Sequence, residues 1–291
     1  MFAKRKFPKK SAREIEDSQE RFLFNRENDF KYQQLITDFF ENEGQAFKPV
    51  VEEMDQKLTL QKNFSELFED RKMQLIPSFF SLVQKLSAEN RNFSVIFRTF
   101  GTDTELVIQE FNLFCRGAHP LYNGENGTYK FESKSLEVQD VGYFTRVSET
   151  QSYLVMGSLL RHSRHTPPQA TDSVKVFEDT TSILNALLTS GSLAINDDYE
   201  FWDFNKRLTE YGKLLLVDPG DKETVQIFFD DNIGESFGKA IDVRNVHTGE
   251  PIAFGESINK YLWRVNPYLA TVEEDYFYNA VLVCESNQCA S

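Results

Sequence analysis

Cysteine is scarce. The 291 residues hold three, Cys115, Cys284 and Cys289, with no CxxC pair among them. An odd and sparse set cannot be a disulfide framework and points to a reducing compartment, so the expected location is cytoplasmic. The triplets at Asn63, Asn92 and Asn126 that resemble glycosylation acceptors then read as chance matches. No window approaches the roughly 18–20 consecutive apolar residues of a membrane span. Histidine is rare too, with four residues. His162 and His165, in RHSRHTPP, have no cysteine or acid at ligand spacing, which excludes a zinc site of the usual pattern. His119 and His247 stand alone, and no Ser or Cys has a local partner base, so a hydrolase triad has no support. There is no internal repeat. Positive charge is in deficit as well: the formal net charge of −13 argues against nucleic acid as the main partner.

What is present suits a core. Hydrophobic residues make up 40% of the chain, and 27 Phe with 11 Tyr make that core aromatic. The charge is uneven. Residues 1–13, MFAKRKFPKKSAR, carry six basic side chains and no acid. Residues 1–30 are therefore expected to be a basic, solvated N-terminal segment, with nuclear import or an acidic partner surface as its functional reading. No long apolar stretch follows the basic head, so it does not read as a secretory signal. Residues 31–291 are expected to form one α/β domain. Helical spacing is present in 32–42 and 64–75. From Ile76 it sharpens: IPSFFSLVQKL predicts a helix with Pro77 near its start, FSVIFRTFGTD a strand closed by Gly101, and TDTELVIQEFNLFC a helix opened by a Thr102/Glu105 capping box. Residues 116–172 read as an irregular insert, rich in Gly and Asn, with short strand-like pieces such as YFTRV and YLVMGSLL. Beyond it, 176–190 predicts a helix, SLAINDDY a strand, 200–211 a short helix, KLLLVDP, TVQIFFDD and KAIDVRNV three strands, and EEDYFYNAVLVC a final helix. Strands alternating with helices, and too continuously apolar for a one-sided sheet, predict a doubly wound, mainly parallel sheet covered on both faces.

Ligands of such sheets bind at the carboxyl ends of strands. Three polar strand ends can converge: Thr99 with Gly101, Asp197 with Asp198, and Asp230 with Asp231. Asp197 and Asp198 read more simply as acids opening the next helix. The last pair raises a physical question, because IFF before it is too apolar for an exposed tip. Two adjacent carboxylates at a buried strand end need a compensating charge. Thr99, with the amides of Phe100 and Gly101, is suited to hold an anion through a hydroxyl and backbone N–H groups.

With VIFRTFGTD and QIFFDDNI quoted, the chain resembles the haloacid-dehalogenase-like superfamily, mainly aspartate-dependent phosphohydrolases, over roughly residues 72–285. The resemblance implies a Rossmann-like fold of that type. It implies that Thr99, Phe100, Gly101 and Lys213 bind phosphate, with Thr99 and Lys213 as catalytic groups, and that Asp230 and Asp231 help hold Mg²⁺. It also requires an upstream strand ending in Asp-x-Asp-x-Thr or Asp-x-Asn-x-Thr, whose first Asp is the nucleophile. No good copy exists. RFLFNREND ends its apolar run on Asn25, an amide that cannot attack. Asp55, in EEMDQKLT, has Lys57 in place of the second acid and no buried strand before it. The expected function is thus a protein of Mg²⁺-dependent phosphohydrolase descent, acting on or binding a phosphorylated small molecule, with impaired or lost catalysis. An active phosphatase using a non-standard nucleophile and a non-catalytic protein-interaction module are the alternatives.

Overall fold

A computed structural model describes residues 43–60, 72–124, 131–159, 168–189, 191–235 and 239–289. The basic head, Asn25, His162 and His165 lie outside the described residues. The chain divides into two compact units, Met1–Asp55 and Gln56–Ser291. Helix α1 (Lys48–Leu58) follows a short 3₁₀ turn at Glu43–Phe47. The sheets and the helices that pack on them belong to the second unit.

A five-stranded mixed sheet organises it. Strand β1 (Val95–Thr99) pairs in parallel with β5 (Ser192–Asn196), and β5 in parallel with β2 (Val141–Arg146). Strands β3 (Ser152–Met156) and β4 (Lys175–Phe177) complete it through antiparallel pairs, giving the order β1-β5-β2-β3-β4. Two further parallel pairs join β6 (Lys213–Val217) to β8 (Ile241–Asn245), and β7 (Phe228–Asp230) to β9 (Leu262–Arg264). No described helix is long and apolar enough to cross a membrane.

Strand alternation sorts the side chains into two layers. Val95 and Phe97 pack with α2 (Pro77–Ala88) and α3 (Thr104–Cys115), where Phe80, Phe111 and Phe114 are fully buried. Ile96, Leu193 and Ile195 face the other way, onto α4 (Thr180–Leu188) and onto Leu214 and Leu216 of β6. The opposite face of β6 meets β7, β9 and Trp202 of α5 (Tyr199–Phe204). Near the end of the chain, α7 (Pro267–Val272) follows the short α6 (Phe254–Ser257), and α8 (Tyr276–Cys289) then packs along α2.

Residues 116–172, expected as an irregular insert with short strand-like pieces, place two of those pieces, β2 and β3, as a hairpin inside the main sheet. Their near-continuous burial, with every residue of β3 buried, explains why. A hairpin this apolar cannot stay outside the core. The capping box at the head of α3 does not form: Asp103 is the N-cap residue and makes no side-chain cap bond. Its carboxylate is occupied elsewhere, as described below.

Buried charge ties the hairpin to the second sheet. Arg146 donates from Nη1 to Asp242 Oδ2 (3.1 Å) and to Gly212 O (3.0 Å), and Arg244 Nε reaches the same carboxylate at 2.9 Å. A second buried pair sits on the helical side. His119 Nδ1 accepts the amides of Leu121 and Tyr122, so Nε2 carries the proton and donates to Glu110 Oε1 at 3.1 Å. Burial pushes the Cys115 thiol up to about 12, leaving it chemically quiet.

Candidate functional site

Thr99 ends β1, and its hydroxyl organises the turn that follows. Oγ1 accepts the Gly101 N–H at 2.8 Å and donates to Asp103 Oδ1 at 3.1 Å. A Cβ at 101 would lie 2.6 Å from the Asp103 carboxylate and 3.1 Å from the Thr99 hydroxyl, so a larger residue there would have to push the Asp103 side chain aside. The turn thus already holds an anionic oxygen, one supplied by the chain itself. The Gly101 amide is not free for a ligand in this arrangement, whereas the Phe100 amide has no acceptor among the described residues. The Phe100 ring stacks on Trp202, centroids 5.1 Å apart, and lies 5.1 Å from Lys213 Nζ.

Lys213 is the first residue of β6, and its side chain is only 9% exposed. Nζ reaches Asp230 Oδ2 at 2.8 Å and the carbonyl oxygen of Arg98 at 3.4 Å. One ammonium therefore ties the end of β7 to the end of β1, over sequence distances of 17 and 115 residues. The neighbouring Lys206 is exposed and stands in a left-handed backbone conformation, with φ 60°.

Asp230 has both oxygens committed, the second accepting the Asn232 amide at 2.7 Å. Asp231 is exposed. The compensating charge beside Asp230 is thus the Lys213 ammonium. Among the described residues no group of three His, Cys, Asp or Glu side chains could hold a metal ion.

Arg98 is the functional-looking residue that sequence reasoning passed over. Its guanidinium makes a two-pronged pair with Asp197, at 2.8 and 2.5 Å, and donates to Leu214 O at 3.1 Å. It also lies over the rings of Phe144 and Phe228. Its signal was a charge in the middle of an apolar strand, VIFRT, which is tolerated only with a buried partner. Asp198 does open α5, accepting the Phe201 amide at 3.1 Å. Asp197 instead serves Arg98.

Asp55 stands on α1, exposed and not at any strand end. No strand that could carry a nucleophile upstream of Ile76 is found among the described residues. The chain matches no family model, no curated protein and no solved structure.

Proposed function

We propose that this protein is a haloacid-dehalogenase-like chain, of Rossmann-like fold and phosphohydrolase descent, that binds a phosphorylated ligand and turns it over poorly or not at all. The observation that supports this best is the Lys213 bridge. It sets one buried ammonium between Asp230 and the Arg98 carbonyl, one residue before Thr99, which suits the role the family resemblance implies for Lys213. A hydroxyl, an unused amide at Phe100 and an ammonium are the donors a phosphate needs, and the Asp103 carboxylate is the group it would displace. Chemistry lacks its first actor. Without a carboxylate nucleophile the covalent route is closed, at a cost of orders of magnitude in rate. The sparse, unpaired cysteines favour a reducing compartment, cytoplasmic or nuclear.

The test is hydrolysis of a generic aryl phosphate with Mg²⁺, alongside thermal melts with inorganic phosphate. The expected result is no turnover above background and a phosphate-dependent rise in melting temperature that Thr99→Val lacks. Clear turnover that Asp230→Asn abolishes would overturn the loss of catalysis. A melt indifferent to phosphate would overturn the anion site itself.

A further inference from the structure

Strand β1 is an edge strand among the described residues: it pairs with β5 and with no strand on its other side. A cleft of about 290 Å³ follows that side. Its apolar wall has Ile76 just before α2, Phe79 in the first turn of α2, Val107 from α3 and Phe277 from α8, together with Phe97 of β1. Phe277 continues the wall towards β7, its ring 5.1 Å from that of Phe229. Exposed strand edges are normally blunted by charge, by proline or by cover, because they pair with any extended chain. Among the described residues β1 has no proline and no strand over its free side. Its single charge, Arg98, is turned onto Asp197 and Leu214, and its other residues are β-formers. Thr99 and Asp103 line the same cleft, so the anion-accepting turn stands at its end.

We propose that this cleft takes an extended phosphopeptide from a protein partner. The peptide backbone adds a strand to the open edge of β1, an apolar side chain enters between Phe79, Phe97 and Phe277, and the phosphate reaches the Thr99 turn in place of Asp103. This rests on the anion-binding reading above and names the body of the ligand. A small-molecule ester would use the turn but leave the backbone edge unpaired. Edge pairing supplies affinity through main-chain bonds and side-chain pockets supply selectivity, which is the usual division in strand addition.

The test uses the full chain and two fluorescein-labelled hexapeptides of alternating Thr and Val or Ile, with phosphoserine at the carboxyl or the amino end, and their unphosphorylated twins. Anisotropy should show saturable binding of one phosphopeptide, weakened at least tenfold without the phosphate and at least tenfold by Thr99→Val. Hydrogen exchange across residues 93–101 should slow when that peptide binds. Val107→Glu should abolish the peptide effect while keeping the thermal response to inorganic phosphate, which a merely unfolded variant could not do. Inorganic phosphate binding without any peptide binding overturns the phosphopeptide and leaves the anion site standing. Equal binding of the unphosphorylated twin, with no response to phosphate, overturns both. Protection of 93–101 in the protein alone means that a second copy or the rest of this chain already covers the edge, and overturns the partner.

Discussion

Lys213 and Asp230 show how little a buried ion pair tolerates the loss of one member. Their side chains are 9% and 11% exposed, so each screens a charge that water reaches poorly. Removing one partner of such a pair strands the other, at about 3–5 kcal/mol, whereas removing both is often close to neutral. Lys213→Met is therefore expected to destabilise the fold by about 3 kcal/mol in urea unfolding. Adding Asp230→Leu to it should restore most of that loss. Equal and additive losses would mean that the two groups do not act on each other. Residue identity here was legible in part. The run QIFFDD announces a charge conflict at a strand end, but nothing local says which of Lys206 and Lys213 resolves it. Only Lys213 is carried by a strand whose start lies beside both partners.

At the scale of elements, periodicity did most of the work, and capping refined it. α2 and α3 begin and end within a residue or two of where apolar spacing puts them. α4 is fixed at its start by Asp179, which accepts the Ser182 amide at 2.8 Å. The hydrogen bonds from Ser182 hold its carboxyl below the usual aspartate value. A lowered carboxyl contributes stability above the unfolded value, about 4, and loses it as pH falls through the folded one. Asp179→Ala should thus lower the urea midpoint at pH 7 and cost progressively less below pH 4. An unchanged penalty at pH 3 would show that packing, not the ionised cap, was lost. The short strands β4 and β9 carry three residues each and gave too few periods to read, whereas the equally short β7 was announced by the apolar run in TVQIFFDD.

For the whole molecule, the decisive element is the β2–β3 hairpin. If it were an independent insert, damage to it would leave the rest of the fold intact. Leu154 is fully buried at the centre of β3 and packs with Leu184 of α4 and Leu214 of β6 in one cluster. Leu154→Ala is expected to cost about 2–5 kcal/mol and to shift one cooperative transition, followed by both aromatic fluorescence and far-ultraviolet circular dichroism. Two separated transitions would show that the hairpin folds apart from the rest of the sheet. The buried Arg146–Asp242–Arg244 cluster points the same way, since it joins the hairpin to the β6–β8 pair.

The sequence by itself determined the class of the fold, the position of most helices and strands, and the residue types at the strand ends. Those are local properties, set by apolar spacing, by Gly101 in a tight turn and by charges that interrupt apolar runs. Tertiary structure alone decided that the stretch after Cys115 supplies two sheet strands, that Asp197 belongs to Arg98, and that the Asp103 carboxylate accepts the Thr99 hydroxyl. It also decided that Lys213 pairs with Asp230. Each of these is a contact between segments distant in the chain, fixed by strand order and burial, and no local pattern encodes which strand lies beside which.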